Sequence, residues 1–492
     1  MRSFQLLALH LCLFSEASAQ SFNERYDFRQ FLNGNAFWDV EIMENQYVLF
    51  GGADDSLGDY VGISFTTLNF HGNVLNEKAI FKDSTYLYAG WANSTSLLSD
   101  GSYIMGGGYN DGLAHSYLVK FDSEGDTLWT KVIGNEGSFI TGRCAIPSSD
   151  GGFLLVGPVE IDTQVTSCLI KTDSNGNEEW RRFYGSDIGT NSFVTITALP
   201  SDEYLLGGKF TSFGIGQNTD TWVVKVDSEG DEIWQHTYGD QGFDDGLAHV
   251  LANDDGTAVI AAASSLDDMV DEIYSFPYIT KIDSNGDIIW ENTYGSYYLN
   301  TGLISIKHVP EGGYISAGAS AESDLAYEGL LIRIAENGDS LWMRRYNWME
   351  GNSCYFRDVI PSENGGFVAV GDVYPVNDLD LSFDGWVVKT DEFGCVVPGC
   401  HLAIEEKNAT AEISLFPNPT STMTNVYIKS RDPGLHGEIL ISDITGKIIQ
   451  SQKTIGGDIN IGLDVSMFHS GVYLVQLMAE GKTIATKKLV VE

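Results

Sequence analysis

Positive charge is scarce in this sequence: 28 Lys and Arg stand against 68 Asp and Glu, for a formal net charge of −40. A surface of that sign repels nucleic acid and anionic membranes, so neither is expected as a partner. Long apolar runs are missing as well. Past the N-terminus no stretch reaches the roughly 18 apolar residues that a spanning helix needs, so no transmembrane segment is expected. Catalytic signatures are absent in turn: there is no H-E-x-x-H, no P-loop, no G-x-S-x-G and no dense D-x-D-x-D-G calcium loop. The histidines are scattered without metal-ligand spacing, and no cofactor or metal is expected. Cysteine is rare, at six in 492 residues.

What is present is turn-rich and globular, with 54 Gly and 12% aromatic residues. The chain is too long for one core. Residues 1–19 read as a signal peptide: Arg2, the apolar "LLALHLCLF" (6–14), then the small residues "ASA" (17–19). Export places the five remaining cysteines in an oxidising compartment. There Cys395 and Cys400 of "GCVVPGC" are the best disulfide pair. The pairing of Cys144, Cys168 and Cys354 stays open, and their odd number leaves at least one thiol unpaired.

Self-comparison finds a repeat. "KVDSEGDEIWQHTYG" (225–239) recurs as "KIDSNGDIIWENTYG" (281–295) and "KTDSNGNEEWRRFYG" (171–185). Its hairpin glycines are Gly72, Gly125, Gly176, Gly230, Gly286, Gly338 and Gly394, 51 to 56 residues apart. Five are followed four residues later by Trp129, Trp180, Trp234, Trp290 and Trp342, assigned here to blade packing. A second motif alternates with the first, for example "SDEYLLGG" (201–208) and "NGGFVAVG" (364–371). Each unit reads as four short strands whose middle pair is apolar on both faces, so neighbours must stack. The fold class expected is all-β: a seven-bladed β-propeller over 20–400, a linker over 401–411, and a small Ig-like β-sandwich over 412–492. The last unit lacks a fourth strand after Gly394, and "ERYDFRQF" (24–31) resembles one, so the N-terminal segment is expected to close the ring. In "DSxG" the Asp forms the turn and Gly takes the positive φ. The hairpin with its Trp resembles the docking motif of quinoprotein propellers, with one residue fewer between Asp and Gly. It is also similar to the Asp-box of sialidases, with one residue more on each side of the Gly. Both resemblances imply packing of blades.

The tail carries a more specific resemblance. "LFPNPT" (415–420), "SDITGKII" (442–449), "SGVYLVQL" (470–477) and the terminal "KKLVVE" resemble the type A C-terminal sorting domain of the type IX secretion system of Bacteroidota. That resemblance implies a secreted or outer-surface protein whose tail is read by a translocon and removed by a sortase-like protease. The matched positions are Pro417, Asn418, Pro419, Gly446, Lys447, Gly471, Tyr473, Lys487 and Lys488.

In an up-and-down blade the turns after strands two and four share one face, and here those loops vary in length and content. Variable loops on a rigid scaffold are where binding resides. They hold Phe243, Asp244, Asp245, Asp267, Asp268, Asp271, Tyr297, Tyr298, Tyr374, Asp378 and Asp380. Aromatics beside carboxylates suit sugar rings, and a solvated acidic rim is the plainer reading. Three functions stay open: a binding or adhesion module for a glycan or protein, a polysaccharide hydrolase or lyase using loop carboxylates, and a purely structural surface protein.

Overall fold

The computed structural model describes residues 21–491 except 29–31, 56, 58–59, 83–84, 92, 135–138, 141, 162–163, 186–189, 212–218, 240–243, 268–272, 296–299, 322–325, 350–351, 375–382, 398–399, 401–410, 431–435, 444–446, 456–458 and 480–481. The signal peptide assigned to 1–19 and the linker residues 401–410 lie outside the described residues. The chain divides into two compact units, 1–398 and 399–492.

The first unit is seven antiparallel sheets, one per sequence repeat. Blade 1 runs Leu32–Met43, Gln46–Asp55, Val61–Asn69 and Val74–Ile80. Blades 4 and 6 have the same plan, starting at Asn191–Ala198 and Asn300–His308. In blades 2, 3 and 5 the first strand is broken in two: Tyr86–Ala89 and Thr95–Leu97, Phe139–Ile140 and Cys144–Pro147, Asp244–Asp245 and His249–Ala252. Blade 7 runs Ser353–Pro361, Phe367–Tyr374 and Asp384–Thr390, and its fourth strand is Phe22–Tyr26 from the start of the chain. Each sheet packs on the next and blade 7 packs on blade 1, which closes the ring with the first strands innermost. Seven hydrophobic clusters follow, one at each interface between blades. The apolar middle strands are thus buried by neighbours, and no blade has a core of its own.

Two local rules write the blade. In the hairpin the carboxylate of Asp227 accepts from the N–H groups of Glu229 and Asp231, while Gly230 holds φ +78°. Asp122, Asp173 and Asp283 do the same in their blades. A glycine within the second strand answers a bulge in the first. A Cβ on Gly51 or Gly371 would stand 1.8 Å from the carbonyl oxygen of Ala36 or Tyr355, where the register slips by one residue.

The hairpin glycine is also the landing site for the preceding blade. A Cβ on Gly230 or Gly338 would stand 2.8 Å from the ring of Trp180 or Trp290. The indole N–H of Trp234, Trp290 and Trp342 donates to the carbonyls of Ser284, Glu336 and Glu392, each at 3.1 Å. A tyrosine four residues after the tryptophan completes the joint: Tyr184, Tyr238, Tyr294 and Tyr346 donate to Gly230, Gly286, Gly338 and Gly394. These tryptophans are half-buried; the fully buried ones are Trp222 and Trp386, stacked on Phe193 and Phe356 at 4.5 and 4.3 Å.

The N-terminal strand takes part in the same way, in a register different from the one expected. Alignment of "ERYDFRQF" with "EEWRRFYG" gives Tyr26 the place of Trp180; the strand observed is Phe22–Tyr26. Phe22 stands in for the tryptophan and Tyr26, four residues on, for the tyrosine. Both are 7% exposed, and both lie 3.0 Å from a Cβ built on Gly72 of blade 1. Arg25 pairs with the buried Asp384, and Trp386 Nε1 donates to Asn23 Oδ1 at 2.7 Å. Cys395 and Cys400 are disulfide-bonded, while Cys144, Cys168 and Cys354 are buried free thiols.

The second unit is a sandwich. Ala411–Phe416, Met423–Ser430 and Ile459–Asp464 make one sheet. His436–Asp443, Ile448–Ile455, Gly471–Ala479 and Lys482–Val491 make the other. Ile413, Val426 and Ile428 of the first sheet meet Ile439, Val475 and Leu489 of the second in one core.

Candidate functional site

The bulge or break in each first strand sets one residue at the same level of the axis: Asp39, Thr95, Cys144, Thr195, His249, Ser305 and Asp358. All are buried. The Thr95 N–H donates to Asp39 at 2.7 Å, the Val40 N–H to Asp358 at 3.2 Å, and the Ser305 hydroxyl to the other Asp358 oxygen. Lys307 Nζ lies 3.6 Å from Asp358. Burial raises the Asp39 carboxyl well above its ordinary value, and Asp358 beside it raises it further. Burial opposes the charge of Lys307, but Asp358, Asp39 and Glu41 together keep it protonated. Burial pushes His249 down to about 4 and the Cys144 thiol up to about 12, so both are neutral and inert near neutral pH. Asp39, Asp358 and Ser305 bond across blade boundaries through these contacts, while among the described residues neither ring nitrogen of His249 has a hydrogen-bond partner. The Asp39, Asp358 and Ser305 contacts join the blades at the axis.

The residue just before each ring position is aimed differently. In blade 7 it is Arg357, in blade 1 Trp38, and in blade 3 Arg143. Arg357 lies 5.0 Å from the ring of Trp38 and 5.2 Å from that of Tyr355. Its Nε and Nη2 donate to the two oxygens of Asp372, at 2.6 and 3.2 Å. Arg143 lies 4.5 Å from the ring of Trp91.

Around these arginines the variable-loop face collects tyrosines. Tyr355 stacks on Tyr327 at 5.0 Å and meets Tyr374 edge-on at 5.8 Å; Tyr374 meets Phe383 at 5.7 Å. On blade 2, Tyr86 stacks on Tyr88 at 6.4 Å and touches Tyr60 of blade 1 at 6.1 Å. Among the described residues of the first unit the three exposed tyrosines are Tyr86, Tyr88 and Tyr374, at 41%, 43% and 37%. All three sit at the starts of first strands or the ends of second strands, on one face of the ring. Burial raises the Tyr374 phenol to about 12, helped by Asp372, so it stays a neutral donor. Asp54, half-buried near Tyr374, is raised by burial and by Asp55.

Of the binding residues expected from sequence, Tyr374 belongs to this face. Asp245 is 2% exposed and turned inward toward Gly239, which removes it from a solvated rim. Phe243, Asp268, Asp271, Tyr297, Tyr298, Asp378 and Asp380 lie outside the described residues, as do the side chains of Asp244 and Asp267. Tyr86, Tyr88, Trp91, Arg143, Tyr355 and Arg357 escaped the sequence reading. For Tyr86, Tyr88 and Trp91 the signal was present in "TYLYAGW" (85–91), which departs from the other first strands by carrying three aromatics.

In the tail, Asn418 grips the terminal strand. Its Nδ2 donates to the Lys488 carbonyl and its Oδ1 accepts from the Val490 N–H, both at 2.8 Å. The Pro417-Asn418-Pro419 turn and the Lys487–Lys488 segment are therefore one structural element. Tyr473 is buried, donates to the His469 carbonyl at 2.8 Å and packs on Phe468 at 5.0 Å. Gly471 opens the strand opposite Val491, and Lys447, Lys487 and Lys488 are exposed. Gly446 lies outside the described residues.

Residues 414–492 match the family described as the secretion system C-terminal sorting domain. No curated protein matches the chain. Among solved structures it is similar to a protein of unknown function from Dyadobacter fermentans, at 9% identity and TM-score 0.41, over 75% of this chain and 99% of that one. It is also similar to the β-propeller domain of the Trilobed protease from Pyrococcus furiosus, at 8% identity and TM-score 0.41, over 74% and 96%. A GH43 endo-arabinanase from Bacillus licheniformis follows at 14% identity and TM-score 0.27, over 55% and 99%. Among the described residues no helix is long and apolar enough to cross a membrane. Seven sheets closed by the first strand make the first unit a β-propeller, and residues 414–492 are a secretion system C-terminal sorting domain, which makes this chain secreted cargo or a protein attached to the outer cell surface.

Proposed function

We propose that the exported propeller is a carbohydrate-binding module whose ligand lies across the variable-loop face, and that the tail is read by the translocon and its sortase-like protease. The observation that carries the reading is the gathering of Tyr86, Tyr88 and Tyr374 on one face while most other tyrosines of the first unit are buried or half-buried. Leaving three large rings in water opposes the burial that builds the ring, and ring faces of this kind stack on the apolar faces of pyranoses. Phenol, guanidinium and carboxylate groups beside them supply the hydrogen bonds that sugar hydroxyls need.

The test is a screen of the full secreted chain against immobilised plant, algal and microbial polysaccharides, with the soluble fraction analysed for cleaved product. Retention without product supports the module. Product would replace it with the hydrolase or lyase reading. Failure to retain on any polysaccharide rejects carbohydrate binding.

A further inference from the structure

Arg143 and Arg357 occupy the same position in two blades, each immediately before its axial ring residue, Cys144 or Asp358, and each over a tryptophan. They differ in what answers their charge. Arg357 is held by both oxygens of Asp372, which is 1% exposed. Asp372 follows Gly371 at the end of the second strand. In blade 3 the same place, after Gly157, is held by Pro158, which has neither charge nor N–H to offer. Among the described residues Arg143 accordingly makes no ion pair, and its Nε is buried without a hydrogen-bond partner. Its backbone is fixed at both ends: the Arg143 N–H donates to the Val156 carbonyl at 2.8 Å, and the Arg143 carbonyl accepts from the Trp91 N–H at 3.0 Å.

A guanidinium left without a carboxylate is conspicuous in a chain carrying 40 excess negative charges. Carboxylates outnumber cations 68 to 28 in this chain, so a half-buried arginine that none of the described ones answers is open to an anion of another molecule. The guanidinium fork matches a planar oxyanion bidentately, and a dry wall strengthens the bond. Trp91 holds the fork flat. Tyr86 and Tyr88, at the start of the same first strand that leads into Gly90 and Trp91, offer the adjoining sugar-stacking surface.

We infer that Arg143, Trp91 and Tyr88 form a subsite for an anionic saccharide, with Arg143 gripping its carboxylate or sulfate ester and Tyr88 stacking on a neighbouring pyranose. This deepens the carbohydrate-binding reading and rests on it. Arg357, neutralised by Asp372, serves uncharged parts of the same chain. The global charge repels an acidic polymer while this one position attracts it, so the preference for acid rests on Arg143.

The test is calorimetric titration of the full chain with oligogalacturonate, its fully methyl-esterified form and a sulfated galactan oligosaccharide. At least one of the two acids is expected to bind about tenfold or more tightly than the neutral ester, and which one does so identifies the oxyanion. Arg143→Gln should abolish that preference, Arg143→Lys should keep part of it, and Tyr88→Ala should weaken acid and ester alike, with melting curves showing that each variant is folded. Equal affinity for acid and ester, or a preference that survives Arg143→Gln, overturns the subsite while leaving carbohydrate binding standing. Absence of binding to every saccharide in the screen overturns both.

Discussion

The phenol of Tyr26 donates to the carbonyl oxygen of Gly72 at 2.7 Å, the bond that Tyr346 makes to Gly394 between blades 6 and 7. The joint that seals the ring is therefore the ordinary joint between blades, made by a residue borrowed from the opposite end of the chain.

The strength of this seal is measurable. Arg25→Met deprives the fully buried Asp384 of its guanidinium and should cost about 3–5 kcal/mol. Tyr26→Phe removes one hydrogen bond and should cost about 1 kcal/mol. Urea unfolding of the full chain gives both values, and a cost below about 1 kcal/mol for Arg25→Met would mean the borrowed strand is dispensable.

The two kinds of tryptophan should separate. Trp222 is 1% exposed and stacked on Phe193, so Trp222→Ala should destabilise by about 3–5 kcal/mol. Trp234 is half-buried and makes one indole hydrogen bond, to the Ser284 carbonyl, so Trp234→Ala should lose only about 1–2 kcal/mol. Equal losses in denaturant titrations would contradict this division between core and joint.

Asp39 and the surface aspartates should pull stability in opposite directions with pH. The folded Asp39 carboxyl titrates above its unfolded value, so its contribution is full below about pH 4 and is lost as pH rises through the folded value. An amide in place of that carboxyl would accept from the Thr95 N–H and donate to Asp358 without needing a proton. Asp39→Asn should therefore gain in melting temperature relative to the natural chain between pH 5 and pH 8. Asp100 and Asp150 are held down to about 2, the first by Ser102 and Lys120, the second by Lys171 and Ser148. Their contribution is present above about pH 4 and is lost as pH falls toward 2. Replacing both with asparagine should flatten the acid limb alone.

Asn418→Ala should uncouple the Pro417–Pro419 turn from the last strand. Export should fall several-fold, read as the fraction of chain reaching the medium or outer surface of the native host, while synthesis continues. Export at the natural level would show that the grip on Lys488 and Val490 has no part in sorting.

The repeat was readable because its determinants are local. An Asp that bonds the N–H groups two and four residues on, with Gly at positive φ, is a property of five consecutive residues. The borrowed strand was readable in existence and not in register, because Phe22 replaces the tryptophan on which the repeats align. Only the four-residue spacing to Tyr26 survives. The axial network was hidden for a different reason: Val40 meets Asp358 across 318 residues, through first strands whose sequences diverge. The acidic-rim reading of the variable-loop face was incomplete for a related cause. Asp245 points inward, since a strand's end does not announce which way its last side chain turns. Arg143 reads as ordinary until Pro158 and Asp372 are set side by side, a comparison that needs the blades superposed.

A ring fastened by its first strand has a consequence for how the molecule comes into being. Asn23 meets Trp386, 363 positions further along the chain, so no nascent chain shorter than about 390 residues contains both halves of blade 7. Until ribosome and exporter have delivered that stretch, the opening segment has nothing to pair with and the six earlier sheets face a gap. Pairing over such a span comes late and slowly, so closure of the ring is the last step by which this molecule takes its shape.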